Sequence, residues 1–224
     1  MSRLSVVLPA YNEELMVGKT CRVLHEVLSG AGISYELVLV NDGSKDHTWD
    51  EILKAGEKDP NILGVHFSRN FGKEAAVFAG MAQATGDVVA VMDCDLQHPP
   101  ELIVQMYEKY QEGYDQVIAK RNRKGDSRLS IVFAKLYYKL ANKLVNVEMV
   151  DGAGDFRLLS RRTIHALLEL KENNRFSKGL FSWVGFNQIY IEYENQERAG
   201  GNSKWSFKSL LSYGVDGILS FNNQ

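Results

Sequence analysis

The sequence predicts an α/β fold, a mostly parallel central sheet flanked by helices, and three observations predict it. Five short apolar runs rich in β-branched residues read as strands: Leu4 to Pro9, Tyr35 to Asn41, Ile62 to Ser68, Asp87 to Met92 and Asp115 to Ala119. Segments of helical periodicity lie between them, such as Val17 to Leu28 and Thr48 to Lys58. Strands joined by helix-length connections run parallel, with helices on both faces. The polar motifs follow strand ends, so one edge of the sheet collects them in a single crevice.

Taken in order, Leu4 to Pro9 runs into the turn Pro9-Ala10-Tyr11-Asn12-Glu13, and Tyr35 to Asn41 runs into Asn41-Asp42-Gly43-Ser44. Ile62 to Ser68 leads to Arg69-Asn70-Phe71-Gly72-Lys73, where Lys73 follows Gly72 at a helix start. Free backbone N–H groups and a cation there suit a phosphate, although a solvated lysine fits the same pattern. The apolar run Val89-Ala90-Val91-Met92 stops abruptly at Asp93-Cys94-Asp95-Leu96-Gln97. Two carboxylates at a strand end suit a hard divalent cation, Mg²⁺ or Mn²⁺, which takes one or two protein carboxylates and completes its shell with water and substrate phosphate. On its own a D-x-D is more often an acidic capping turn, here before Pro99-Pro100, so other motifs must overturn that reading.

Composition narrows the class. With 224 residues, 45% of them hydrophobic and 24% charged, the chain can bury a full core as one large domain. Two cysteines, Cys21 and Cys94, are too few for a disulfide framework, and no charged leader with an apolar signal core precedes the first strand. The expectation is a reducing, cytoplasmic setting. A formal net charge of −2 argues against a nucleic-acid partner. That average hides a local excess: Lys120, Arg121, Arg123, Lys124, Arg128, Lys135, Lys139 and Lys143 face one acid, Asp126, which points to an anionic partner. No apolar run reaches the ~18 residues needed to span a bilayer. Neither G-x-G-x-x-G nor G-x-x-x-x-G-K-[ST] occurs, so a dinucleotide oxidoreductase or a P-loop phosphatase has little support.

Five ordered motifs carry a resemblance: Pro9 to Glu14, Val40 to Ser44, Arg69 to Lys73, Asp93 to Gln97, and Arg198-Ala199-Gly200-Gly201-Asn202-Ser203-Lys204-Trp205. Together they resemble the family 2 inverting glycosyltransferases, and within them the polyprenyl-phosphate enzymes that include dolichol-phosphate mannose synthases and bactoprenol glucosyl- and N-acetylglucosaminyltransferases. The resemblance runs from Leu4 to about Phe221 and departs at Cys94, where the family more often has alanine. It implies a single GT-A domain over residues 1–224, with a nucleotide-sugar half at 1–119 and an acceptor and membrane-facing half at 120–224. It also implies transmembrane helices beyond this point in the native protein.

By that resemblance, Pro9, Tyr11, Glu13 and Asp42 hold the nucleotide, and Asp93 contacts ribose and metal. Asp95 is the firmest metal ligand and Gln97 adds a neutral oxygen. Asp42 is also suited to organising its own turn. Arg198 and Lys204, with Ser203 between them, flank a glycine loop suited to closing positive charge over a diphosphate. Arg121 and Arg128 are candidates for the acceptor phosphate, and Asp155 matches an acidic position of the sugar and acceptor pocket. A lipid phosphate is largely dianionic at neutral pH, so Asp155 would orient it; a hydroxyl acceptor would need Asp155 as a base.

Lys135, Lys139 and Lys143 recur beside Leu136, Leu140 and Leu144, a pattern suited to an interfacial helix on an anionic membrane surface or to a helix packed on the sheet. The segment Trp205 to Phe221 is rich in aromatic and apolar residues. The leading expectation is inverting transfer of a hexose or N-acetylhexosamine from a nucleotide sugar, UDP-linked, to a polyprenyl (undecaprenyl) phosphate at the cytoplasmic membrane face. Transfer to a hydroxyl of a polysaccharide or another glycan is the alternative, and a non-catalytic nucleotide-sugar-binding module is a third reading. A homo-oligomeric state stays open.

Overall fold

The computed structural model describes residues 2–122, 150–170 and 177–194. Seven strands among these residues form one sheet: β1 (Leu4–Ala10), β2 (Tyr35–Asn41), β3 (Ile62–His66), β4 (Val88–Val91), β5 (Gln116–Arg121), β6 (Ala153–Ser160) and β7 (Gln188–Tyr193). Six described helices accompany them: α1 (Val17–Gly30), α2 (Thr48–Lys58), α3 (Lys73–Gln83), α4 (Leu102–Gln111), α5 (Arg161–Glu169) and α6 (Ser177–Trp183). The strand order is β3-β2-β1-β4-β6-β5-β7. β1 pairs in parallel with β2 and β4, β2 with β3, and β5 with β7, while β6 runs antiparallel between β4 and β5. The predicted mostly parallel sheet is therefore present, with one reversed strand.

Alternation along the strands divides the core. Leu4, Val6 and Leu8 of β1, with Leu37 and Leu39 of β2, face α1 and α4 through Leu24, Leu28, Ile103 and Met106. Val7, Val38, Val40, Val89 and Val91 face the other way, onto Val77, Phe78 and Met81 of α3 and Ile164 and Leu167 of α5. A strand buried on both faces reads as a continuous apolar run, which is why β1, β2 and β4 are visible in the sequence.

Helix α3 lies tight on the sheet because Gly80 has no side chain. A Cβ there would come within 2.3 Å of a Val7 methyl carbon. Since α3 starts at Lys73, this packing fixes where that lysine enters the crevice.

The order β2-β1-β4 makes a topological switch between β1 and β4, because the chain leaves β1 to one side for β2 and β3 and returns on the other side with β4. Ligands of open α/β sheets bind at the carboxyl ends of strands beside such a switch. The antiparallel β6 brings its amino end to the same edge. No described helix is long and apolar enough to cross a membrane. The candidate interfacial helix of residues 129–147 and the Trp205 to Phe221 segment lie outside the described residues.

Candidate active site at the sheet switch point

Two turns form one wall of the crevice and are stitched together. Asn12 N–H donates to Ser44 Oγ at 2.9 Å, Lys45 N–H to Asn12 Oδ1 at 2.8 Å, and Glu13 N–H to the Thr48 hydroxyl at 2.7 Å. These bonds hold the Tyr11 and Glu13 region, just beyond Pro9 of β1, against the end of β2. Asp42 is buried there. Its carboxylate accepts from Phe71 N–H at 2.7 Å and from Gly72 N–H at 3.0 Å. The sequence suggests that Asp42 organises its own turn; in the structure it clamps the 69–72 loop that leads into α3. Burial pushes its carboxyl above the usual value, more than those two backbone donors lower it.

Asp93 and Asp95 stand directly beyond β4. Asp95 is 5% exposed and its Oδ1 accepts from Gln97 N–H at 3.1 Å. Leu96, between them, is held in the left-handed region at φ +57°. A bulky residue there stores strain, a pattern that concentrates at functional sites. Cys94 turns away from the carboxylates into the core beneath α1, and its carbonyl accepts from the Thr20 hydroxyl at 2.7 Å.

Lys73 joins the two sides of the site. Its Nζ lies 2.6 Å from Asp93 Oδ1 and 2.9 Å from Asp155 Oδ2, with side chains 35%, 33% and 16% exposed respectively. Its place at a helix start suits this ammonium to a phosphate; in the structure it bridges two carboxylates. Burial works against its charge, but Asp155 and Asp93 outweigh that and raise its pKa above the ordinary lysine value. Burial likewise disfavours the Asp93 carboxylate, and the Lys73 ammonium beside it keeps its pKa below the usual range. Residues distant in sequence thus form one charged cluster.

His98 belongs to this cluster and was not singled out in the sequence. It stacks on Phe156 with ring centroids 4.7 Å apart and meets the edge of Tyr193 at 5.8 Å. Its Nδ1 is buried without a hydrogen-bond partner. Burial lowers its pKa more than Asp93 raises it, so the ring is held neutral. Tyr193 closes the same corner, its phenol pushed up to about 12, chiefly by burial. The available signal was position: His98 follows Gln97 immediately, at the end of the acidic motif.

Arg121 ends β5, and its N–H donates to Gly152 O at 2.9 Å, tying that strand to the loop before Asp155. Arg157, two residues beyond Asp155, is buried; it donates to Gly154 O at 2.6 Å and lies 4.0 Å over the Phe181 ring. The structure therefore brings Pro9, Tyr11, Glu13, Asp42, Lys73, Asp93, Asp95, Gln97, Arg121 and Asp155 to one edge of the sheet. Arg128, Arg198, Ser203 and Lys204 lie outside the described residues.

The donor set suits a hard cation. Asp93 and Asp95 present carboxylate oxygens beyond a strand end, and a tethered ammonium sits against one of them. Among the described residues no group of three His, Cys, Asp or Glu side chains is disposed to hold a metal by itself. A cation here would need further oxygens from water and substrate, as Mg²⁺ and Mn²⁺ sites at phosphates do.

The model of glycosyl transferase family 2 matches residues 5–168. The chain belongs to that family. It is 49% identical over 225 residues to the putative glycosyltransferase CsbB of Bacillus subtilis, covering 99% of this chain and 67% of that protein. It is 41% identical over 223 residues to the prophage bactoprenol glucosyl transferase homolog of Escherichia coli, covering 98% and 72%. The fold also matches glucosyl-3-phosphoglycerate synthase of Mycobacterium tuberculosis, solved with Mn²⁺, UDP-glucose and phosphoglyceric acid. That match has a TM-score of 0.61 at 21% identity and covers 98% of this chain and 78% of that one. This family 2 glycosyltransferase thus has a GT-A fold, as its sequence resemblance implies.

Proposed function

We propose that this family 2 enzyme transfers a hexose or N-acetylhexosamine, with inversion, from a UDP-linked sugar to a polyprenyl (undecaprenyl) phosphate at the cytoplasmic face of the membrane. The observation that carries the reading is the Asp93–Lys73–Asp155 cluster at the switch point, where a metal-side carboxylate and an acceptor-side carboxylate share one cation. The lipid acceptor is supported by the 41% identity to a bactoprenol glucosyl transferase homolog over 98% of this chain. Further support comes from the basic excess between Lys120 and Lys143.

In this reading Tyr11, Glu13 and Asp42 receive the nucleotide, and Asp93, Asp95 and Gln97 hold Mg²⁺ or Mn²⁺. Bound there, the cation neutralises charge growing on the departing diphosphate. Lys73, Arg198 and Lys204 add positive charge to that leaving group. Arg121 and Arg128 bind the acceptor phosphate, for which a guanidinium fork is matched. The acceptor approaches the anomeric carbon from the face opposite the leaving group, so the centre inverts. Asp155, which contacts Lys73, orients the incoming group. A phosphate acceptor that is largely dianionic needs no base, whereas a hydroxyl acceptor would need Asp155 to serve as one.

Labelled UDP-glucose and UDP-N-acetylglucosamine, each incubated with the enzyme, Mn²⁺ and undecaprenyl phosphate, test the proposal. One of them should give an organic-extractable product whose label is released by mild acid. Label confined to water-soluble glycan would transfer the assignment to a hydroxyl acceptor.

A further inference from the structure

We infer that Lys73 is a tethered stand-in for the metal, holding Asp93 and Asp155 until a donor diphosphate draws its ammonium away, so that the divalent cation enters only together with the nucleotide sugar. This rests on the proposed function for the identity of the ligands and adds the coupling between them.

The geometry sets up a competition. Lys73 Nζ contacts Asp93 Oδ1 at 2.6 Å, so a cation binding that oxygen must displace the ammonium or lie against it. Like charges at contact distance repel strongly in a site only a third exposed. Lys73 cannot retreat far, because it is the first residue of α3 and that helix is pressed against β1 at Gly80. Its side chain can swing, and a diphosphate beside the helix start offers a better partner than water.

Charge balance favours a joint exchange. Three carboxylates, Asp93, Asp95 and Asp155, share the single ammonium of Lys73, an excess of two negative charges among these four side chains. A divalent cation and a diphosphate arriving together leave that total unchanged; either one alone shifts it by two charges. The protein also lacks a complete cage, since no described group of three His, Cys, Asp or Glu side chains can hold a metal. The donor therefore supplies both the missing ligands and the new partner for Lys73. As the ammonium leaves, Asp155 loses its partner as well.

The test measures Mn²⁺ uptake by the full chain, from the loss of the free-ion EPR signal, with and without UDP. In the wild type, Mn²⁺ should bind weakly alone and at least about ten-fold more tightly with UDP. Lys73→Met should raise the nucleotide-free affinity by on the order of ten-fold and shrink the UDP effect, whereas Lys73→Arg should behave like the wild type. Lys120→Gln removes a nearby charge paired with Glu192 at 3.2 Å and controls for general electrostatics; its affinity should change less than about two-fold. Lys73→Met indistinguishable from Lys120→Gln, or a wild type that binds Mn²⁺ equally well without UDP, overturns the inference and leaves the proposed function standing. Absence of Mn²⁺ uptake in every variant with UDP overturns both. Unfolding midpoints measured in parallel identify any variant that fails to fold; if Lys73→Met does, Lys73→Gln, which also removes the charge, takes its place with the same expected rise in nucleotide-free affinity.

Discussion

Replacing Gly43 by alanine should damage both the fold and the site, and the extent follows from where the new Cβ would land. Gly43 has φ +60°, and a Cβ built on it lies 2.2 Å from the carbonyl carbon of Arg69 and 2.5 Å from Asn70 N. Both are backbone atoms, so no side chain can rotate aside. Ordinary contact begins at 3.4 Å, which requires the 69–72 loop to retreat by about 1.2 Å, the gap between 2.2 and 3.4 Å. That retreat stretches the 2.7 Å bond from Phe71 N–H to Asp42 beyond hydrogen-bond range. A left-handed conformation costs an L side chain roughly 1–2 kcal/mol, and overpacking adds about 1–3 kcal/mol, so the variant should lose about 2–5 kcal/mol. The same movement carries Lys73 off Asp93, and misplacements of about 1 Å near chemistry cost on the order of 10²-fold in rate. Gly32→Ala separates strain from collision: it has φ +68° but no atom within 4 Å of a new Cβ. It should lose roughly 1–2 kcal/mol and keep wild-type kcat/KM. Urea unfolding and Mn²⁺-dependent release of UDP measure the two effects. A Gly43→Ala protein as stable as Gly32→Ala, or with unchanged kcat/KM, refutes the reasoning.

Four other outcomes are expected. Asp95→Asn should abolish turnover at limiting Mn²⁺ while leaving the urea midpoint unchanged, because an amide oxygen can still accept from Gln97 N–H; retained activity would remove Asp95 from the metal site. At the opposite end of the sheet, buried Asp115 accepts from Ser160 Oγ at 2.8 Å and pairs with Arg162. Burial opposes its charge, but these donors outweigh burial and hold its carboxyl below the usual value. Its contribution is therefore complete above the ordinary carboxylate pKa of about 3.9 and is lost as pH falls through the lower folded value. Asp115→Asn should be less stable than wild type at pH 7, with the gap constant to about pH 5 and closing below about pH 4; a gap that persists at low pH would show that the charge is not its source. Arg198→Ala with Lys204→Ala should lower kcat by about 10²-fold with little change in unfolding, as loss of leaving-group stabilisation does. Changing Lys135, Lys139 and Lys143 together to Glu should weaken sedimentation with anionic vesicles and slow lipid glycosylation while UDP release in detergent persists, each lysine contributing about 1 kcal/mol near such a surface.

Strands β1, β2, β4 and β5 were legible in the sequence because each buries apolar residues in a run bounded by polar turns, whereas β3, partly exposed along its length, was legible from its apolar composition alone. Thr48 to Lys58 matches α2 end to end. β6 and β7 were not read as strands. β6 opens with Ala153-Gly154-Asp155, which carries no strand pattern, and only its second half is buried. β7 lies at the sheet edge, where partial exposure dilutes the apolar signal. Boundaries moved by a residue or two at β3, β4 and β5, where strand ends are set by pairing rather than by composition.

What the sequence determined by itself was the family and the residue types at the strand ends, because short motifs following each strand are local facts about order and spacing. It also placed Asp93 and Asp95 at a strand terminus, since the apolar run before them can only be buried. Tertiary structure alone decided that Lys73 contacts Asp93 and Asp155, that Asp42 clamps the 69–72 loop rather than its own turn, and that His98 stacks against Phe156 and Tyr193. These contacts join residues far apart in the chain. They exist because β6 runs antiparallel beside β4 and α3 packs closely on β1, and strand direction and helix approach are set by the whole core rather than by any local segment.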